Sequence, residues 1–222
     1  MNVGEVTALF RDYIDEADTT FVTDSNVQQY LKIGYDRFRK AVNSVDEMRF
    51  AKEYDVTLSG KSLSLDGTLM GSGAPAATRL QSIVALTELD SNDFPACEYI
   101  AVSRPKELAS HGNRRSGPHV PRYYLRDRVL QFDVELSSKV RITYIPYQNV
   151  DWTNSSGYID DIEQFHDLIA LYAHSNYAIR DGEINEPLRI LLEDRKVEFR
   201  EYLMEGMSRN YSSSVHDDPD WL

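Results

Sequence analysis

The chain has 222 residues, 41% hydrophobic and 27% charged, with a formal net charge of −12. This composition is typical of a folded globular protein and not of a disordered tail, and no run approaches the roughly 18 uncharged apolar residues that a membrane-spanning helix needs. Cys97 is the single cysteine, which excludes an intrachain disulfide and a cysteine-based zinc site.

The negative charge is concentrated in the last third of the chain. Residues 1–49 carry six Lys/Arg against nine Asp/Glu, residues 50–147 twelve against eleven, and residues 148–222 six against sixteen. Because cationic contacts to phosphates dominate nucleic-acid affinity, we expect no direct DNA binding. A path along which DNA slides without sticking is compatible with this distribution, and so is an acidic surface kept for solubility.

The first block predicts two amphipathic helices. Apolar residues recur at helical spacing over residues 3–14 and again from Val27 to Val45. We predict that the second helix begins at Thr23-Asp24-Ser25, where Ser25 and Gln28 have the spacing of a capping box. Its apolar stripe is interpreted as core and not as a ligand site.

The second block, residues 50–147, changes to a period of two. Apolar residues alternate from Tyr54 to Leu58, and Ser59-Gly60-Lys61 turns the chain into a second short strand. Further strands are predicted at 81–89, 99–102, 123–125, 129–132 and 140–144, with Asp127-Arg128 at a hairpin tip. Loops rich in Gly, Ser and Pro interrupt the block at 67–78 and 110–121. Short strands at this spacing predict a small sandwich or open barrel.

The third block returns to helical spacing. A helix is predicted over residues 159–177, with Asp160, Asp161 and Glu163 in its first turn, where negative charge favours the helix dipole, and with Asp181-Gly182 at its end. A fourth helix is predicted from about Asn185 through Leu203, with Pro187 in its first turn. The short connection makes the two helices antiparallel neighbours.

These blocks together predict an α+β protein. Residues 1–49 and 148–207 are expected to form an antiparallel helical bundle, and residues 50–147 an inserted small β-sandwich or barrel-like domain. Residues 208–222 are polar until the terminal Trp221-Leu222 and are expected to form an extended carboxyl-terminal arm.

We predict no catalytic residue, no bound cofactor and no metal site. Gly71-Ser72-Gly73 resembles a dinucleotide loop only loosely, because no helix is predicted where the phosphate would need one. Glu163 and His166 have the spacing of a di-iron ligand pair, but no second Glu-x-x-His motif accompanies them. His166 and His174 are interpreted as partly exposed helix histidines.

Two sets of residues are candidates for contact with partner proteins. Arg114 and Arg115, in the second loop, can reach a carboxylate on a partner. Tyr211, Trp221 and Leu222 are the large apolar groups of the arm, and apolar ends gain nothing in water unless a surface covers them. The chain also has fourteen Tyr, eight Phe and two Trp, more than a small bundle needs inside, and aromatic residues are enriched where proteins meet.

The order of the segments resembles a known family. A capped helix (TDSNVQQYLKIGYDRFRKAV) precedes a hairpin (EYDVTLSGKSLSL), a strand (RLQSIVALTELD) and VSRPKELASHG. Pro121-Arg122-Tyr123-Tyr124 then leads into RVLQFDV and KVRITYIPY, and LIALYAHSNYA lies in the closing helix pair. Over about residues 20–205 this order is similar to the head-to-tail adaptor, or connector, proteins of tailed bacteriophages. It departs from them at Leu65, which is followed by Asp66-Gly67 where many members have Leu-Pro.

The resemblance implies a structural virion protein. It implies a homo-oligomeric ring, commonly twelve-fold, in the virion neck between head and tail. The portal protein would lie above the ring and a tail, nozzle or neck protein below it, with genome DNA passing through the lumen without specific binding. Assembly would take place in the host cytoplasm.

Two other functions stay open at this stage. One is a tail-completion or neck protein that binds the tail tube and not the portal. The other is a small hydrolytic enzyme acting on a cell-wall or nucleotide substrate. The mass in solution, with and without a co-expressed portal protein, discriminates among the three.

Overall fold

A computed structural model describes residues 1–15, 21–75, 78–109, 121–136, 139–182 and 185–213 of the chain. Helices and antiparallel sheets are both present, which confirms the α+β class. The chain divides into a helical unit, Met1–Arg49 with Val150–Leu222, and a β unit, Phe50–Asn149.

Five helices are described in chain order: α1 (Val3–Tyr13), α2 (Asp24–Asn43), α3 (Pro105–Ala109), α4 (Asp167–Asp181) and α5 (Glu186–Ser213). In the helical unit, α4 packs against α1, α2 and α5. Its residues 168–174 are all buried, as expected for a helix with neighbours on several sides.

Side-chain caps fix where the first two helices begin. The Asn2 side chain accepts a hydrogen bond from the Glu5 amide at 2.9 Å, and the Glu5 carboxylate accepts one from the Asn2 amide at 2.8 Å, which forms a capping box. The capping prediction at Ser25 was wrong. Thr23 has the extended backbone of an N-cap and its hydroxyl accepts from Asn26, so the chain is already helical when it reaches Ser25.

The helix predicted over 159–177 begins later than expected. Asp160 accepts a hydrogen bond from the Ile162 amide at 2.8 Å, a local bond that competes with the helical one. A 3₁₀ turn, Glu163–Phe165, follows, and α4 starts only at Asp167. The predicted end is confirmed, because Gly182 closes α4 in the left-handed conformation with φ of 79°.

The last helix is longer than predicted. Its start is confirmed: the Asn185 side chain accepts from the Leu188 amide, and Pro187 lies in the first turn. Residues 208–213, predicted as the beginning of an extended arm, are helical, because each residue added to an existing helix gains a backbone hydrogen bond. The remainder of the predicted arm lies outside the described residues.

An aromatic stack joins three elements of the helical unit. The rings of Phe38 in α2 and Phe199 in α5 are stacked with centroids 4.9 Å apart, and Phe165 of the 3₁₀ turn lies 4.9 Å from Phe199. All three side chains are buried. The stack therefore holds α5 against α2 and the start of α4.

The β unit contains two four-stranded sheets. Its strands are β1 (Lys52–Thr57), β2 (Gly60–Ser64), β3 (Leu80–Leu89), β4 (Pro95–Glu98), β5 (Ile100–Ala101), β6 (Arg122–Arg126), β7 (Val129–Leu136) and β8 (Lys139–Pro146). One sheet has the order β1-β8-β3-β4 and the other β2-β7-β6-β5. The hairpin predicted over EYDVTLSGKSLSL was wrong, because β1 pairs with β8 and β2 pairs with β7, so the chain passes from one sheet to the other between them. All pairings are antiparallel except that of β5 with β6.

One hydrophobic core serves both sheets. Its buried members include Leu86 and Ile142 from the first sheet and Tyr123 and Leu130 from the second. The inward residues follow the alternation that predicted the strands. Neither β4 nor α3 was predicted from the sequence, because a strand beginning with Pro carries little strand signal and five residues show no helical period.

Candidate interaction surface

Helix α5 has an apolar face that nothing in the described part of the chain covers. Leu192, Phe199 and Leu203 are buried on one side of the helix. On the opposite side, Ile190, Val197 and Met204 are 53%, 59% and 48% exposed. Their seven-residue spacing is close to two helical turns, so the three side chains form a line, here called the α5 stripe.

The surroundings of the α5 stripe restrict what can cover it. Glu193, Asp194 and Glu201 are exposed beside it. Apolar residues scattered singly on a surface need no explanation, whereas a contiguous set points to an interaction site. Covering these half-exposed side chains would contribute on the order of 1 kcal/mol each. A matching surface must therefore be apolar at its centre and neutral or basic at its edges.

A groove lies between α4 and the first turns of α5, on the other side of α5 from the stripe. It has a volume of about 330 Å³. Its lining is mainly apolar and includes Leu171, Ala178, Ile179, Leu188 and Leu192, with His174 at its wall. Ile179 is 76% exposed. The helical unit thus offers both a convex and a concave apolar surface.

The residues predicted to contact partners are only partly placed. Tyr211 belongs to α5 and continues the seven-residue spacing of Ile190, Val197 and Met204. Trp221, Leu222, Arg114 and Arg115 lie outside the described residues. The α5 stripe was not predicted from the sequence, although its seven-residue spacing is visible there, because the apolar positions from Leu188 to Leu203 form a stronger pattern.

A buried polar centre lies elsewhere in the helical unit, and it corrects the interpretation of His166. His174, in α4, is 9% exposed, so the prediction of partly exposed helix histidines was wrong for both residues; the His166 side chain is 0% exposed. Its Nε2 lies 2.8 Å from Asp160 Oδ1 and its Nδ1 lies 2.9 Å from the Met1 carbonyl oxygen. It occupies the residue before α4, where the 3₁₀ turn directs it inward against Phe38.

Both ring nitrogens of His166 have a polar partner inside the protein. Asp160, which is 7% exposed, contacts one nitrogen and the Met1 carbonyl oxygen contacts the other, so the buried imidazole leaves neither nitrogen without a partner. Burial first, and then the charge of Asp160, raise the pKa of the neighbouring Tyr35 well above its ordinary value. The centre connects the start of the chain to the start of α4.

We expect His166→Leu to lower the free energy of unfolding by about 3 kcal/mol at pH 7, because it leaves the buried Asp160 side chain and the Met1 carbonyl oxygen without their hydrogen-bond partner. Urea denaturation followed by circular dichroism measures the loss. His174→Leu is the matched control, since His174 is also buried but faces the apolar groove, and it should cost less than about 1 kcal/mol. Equal losses in the two variants would contradict a structural role for the two hydrogen bonds of His166.

Burial lowers the pKa of His174 below its ordinary value of 6.5. The unfolded chain therefore binds the proton more readily, and the stability that neutral His174 contributes is present above pH 6.5 and lost as the pH falls below it. We expect the free energy of unfolding of the wild type to fall more between pH 7 and pH 5 than that of His174→Leu. Parallel urea denaturation series at the two pH values measure this, and identical pH profiles would contradict it.

The described residues contain no group of three or more His, Cys, Asp or Glu side chains placed to hold a metal ion. Across those same residues, no helix combines the length and apolar character needed to cross a membrane. Glu163 and His166 do not form one site, because His166 points into the buried centre whereas the Glu163 side chain is 64% exposed. Comparison with protein-family models and with curated protein sequences found no match to this chain.

Proposed function

We propose that this chain is a structural virion protein, the head-to-tail adaptor of a tailed bacteriophage. The order of its sequence segments resembles that family over about residues 20–205. The observation that carries the proposal is the α5 stripe, because a helix that buries one face and leaves Ile190, Val197 and Met204 on the other has a surface suited to assembly. The protein has no enzymatic role and no cofactor in this proposal.

The proposed architecture is an antiparallel helical bundle with an inserted small β-sandwich or barrel-like domain. The helical unit is built from two separate stretches, and the β unit occupies the chain between them. Leu86, Ile142, Tyr123 and Leu130, drawn from both sheets, share one core, which supports a two-layer β domain.

The proposed ring follows from pairing two different surfaces. The α5 stripe is convex, and the groove between α4 and α5 is concave and mainly apolar. If the α5 stripe of one copy binds in the groove of the next copy, the contact is head-to-tail. Such contacts close into a ring when a whole number of the rotations between neighbouring copies adds up to 360°. Twelve copies is the number that the resemblance implies.

The proposed place of the ring is the virion neck, with the portal on one side and a tail, nozzle or neck protein on the other. The acidic carboxyl-terminal block, residues 148–222, would line the lumen, because a channel that passes DNA should lack cationic contacts to phosphates. Tyr211, Trp221 and Leu222 would anchor the chain to the portal or to a neighbouring subunit, as large apolar residues do at interfaces.

The mass of the protein in solution tests this proposal. We expect either a closed ring of about twelve times 25.5 kDa or a monomer that forms such a ring only with co-expressed portal protein. Light scattering coupled to size exclusion, with and without the portal, measures this. A chain that stays monomeric in both samples and binds tail-tube protein instead would favour the tail-completion alternative.

A further inference from the structure

A polar cavity in the β unit has no role in the assembly described above. Its volume is about 480 Å³, and it is lined by Met70, Gly71, Ser72, Arg79, Arg128 and Tyr147. Two guanidinium groups thus face one cavity beside the Gly71-Ser72-Gly73 segment. Arg79 and Arg128 are 49 residues apart, and the fold alone brings them together.

Buried side chains and backbone hydrogen bonds hold the segments that line the cavity. Leu65 and Leu69 are both 1% exposed and anchor the segment that leads to Gly71. The Leu65 amide donates to the Arg128 carbonyl at 2.9 Å, and the Tyr147 amide donates to the Arg79 carbonyl at 2.8 Å. Gly71 has φ of +80°, and a Cβ there would collide with the Asp66 carboxylate. These backbone contacts therefore fix the backbone positions of Arg79 and Arg128, from which the two side chains extend.

Arg128 occupies a position that a glycine would fill more easily. It lies with Asp127 in the two-residue turn between β6 and β7, at φ of +67° and +50° respectively. Turns with two positive φ values favour glycine, because a Cβ there is crowded by the backbone. A strained residue persists when the surrounding structure enforces it, and it is often a functional one. Here the strained position brings a guanidinium to the cavity, 2.9 Å from Asp66.

Arg79 presents a donor that the described residues do not satisfy. Its Nε is buried and has no hydrogen-bond partner within the described ranges. A buried donor without a partner costs the desolvation of the group, so a ligand that draws the Arg79 guanidinium toward the cavity is favoured. The planar guanidinium fork matches an oxyanion, carboxylate or phosphate, in a two-point contact.

The charge of the cavity selects between these oxyanions. Arg79 and Arg128 contribute two positive charges and Asp66 one negative, so a single carboxylate balances the site. A phosphate dianion would leave an excess of negative charge near Asp66, and the net charge of −12 repels polyanions such as nucleic acids. Tyr147, which is 50% exposed, offers an aromatic surface beside the site for the residue next to the carboxylate.

We infer that this cavity binds one carboxylate, an acidic side chain of a partner protein chain. The guanidinium groups of Arg79 and Arg128 donate to it, and Tyr147 contacts the flanking residue. This site goes beyond the proposed function. A variant that forms rings but does not bind the carboxylate, or one that binds the carboxylate but does not form rings, would show that the two proposals are independent.

The test is a titration of the full chain followed by NMR of the arginine side-chain Nε–H signals. The probes are N-acetyl-aspartate methylamide, inorganic phosphate and a short DNA duplex, all at pH 7 and matched ionic strength. We expect saturable shifts of the Arg79 and Arg128 Nε–H signals with the capped aspartate. The affinity measured from the Arg79 signal should weaken at least ten-fold in Arg128→Gly, and the affinity measured from the Arg128 signal should weaken at least ten-fold in Arg79→Gln. Arg126→Gln is the control, because Arg126 lies on the same hairpin but is exposed and pairs with Asp127.

Arg128→Gly also separates function from stability. Glycine suits the turn, so the variant should bind poorly while its melting temperature is unchanged or raised. Three results would overturn the inference: no saturable shift with any probe, tighter binding of phosphate or DNA than of the capped aspartate, or equal weakening by Arg126→Gln.

Discussion

Replacing Val197 by Asp is expected to weaken assembly at least 100-fold while leaving the fold of the chain unchanged. Val197 is 59% exposed, so in the free chain the new carboxylate lies in water and costs little. In the proposed ring the α5 stripe would be covered, and the same carboxylate would be buried without a cation. Such burial costs several kcal/mol, and about 3 kcal/mol corresponds to the 100-fold loss.

The measurement is the dependence of mass on concentration, with the co-expressed portal protein present and absent. Asp194→Asn is the matched control, because Asp194 is exposed on the same turn and the change alters charge without adding a buried ion. Circular dichroism should be identical for all three proteins. If Val197→Asp assembles as well as the wild type, the α5 stripe is not the subunit contact.

Replacing Gly34 by Ala is expected to destabilise the helical unit by about 2 kcal/mol. Gly34 lies at the centre of α2, and a Cβ there would collide with the Ile169 carbonyl oxygen and lie 3.0 Å from the Ala173 amide nitrogen. These are backbone atoms of α4, so the two helices must separate to make room. Overpacking of this kind costs about 1–3 kcal/mol or more and outweighs the gain in helix propensity.

The control for this prediction is a glycine in a helix with free space around it. Gly206 lies inside α5, and a Cβ there meets none of the described atoms within 4 Å. Gly206→Ala should therefore stabilise the protein by up to about 1 kcal/mol. Thermal unfolding followed at 222 nm should show melting temperatures shifted in opposite directions. A Gly34→Ala variant as stable as the wild type would show that α2 and α4 are not held in close contact.

Much of the local structure could be predicted from the sequence. The alternation from Tyr54 to Leu58 and the apolar spacing from Val27 to Val45 predicted the types of element that form there, because burial on one face imposes its period directly on the residues. Asp181-Gly182 and Asn185 with Pro187 marked the end of one helix and the start of the next. These signals act over a few residues, so the residues of a single stretch of chain are enough to produce them.

Two of the predictions that were wrong concern competition between neighbouring local interactions. Ser25 had suitable capping chemistry, but Thr23 caps α2 because the backbone turns helical two residues earlier. Asp160 was expected in a first helical turn, but its carboxylate holds the Ile162 amide and delays the helix to Asp167. A given polar side chain can form several alternative hydrogen bonds with nearby backbone groups, and the packing around that side chain decides which one forms.

The α+β class, the two helical blocks flanking a strand-rich block, and the concentration of negative charge in the last third can all be derived from the sequence alone. The burial of His166 between Asp160 and the Met1 carbonyl, and the cavity shared by Arg79 and Arg128, are visible only in the folded protein. The same is true of the exposure of Ile190, Val197 and Met204, on a helix whose Leu192 and Phe199 are covered. The physical reason is distance along the chain. Periodicity and caps act within a few residues, whereas burial of a polar group and the meeting of remote side chains depend on how separate elements pack.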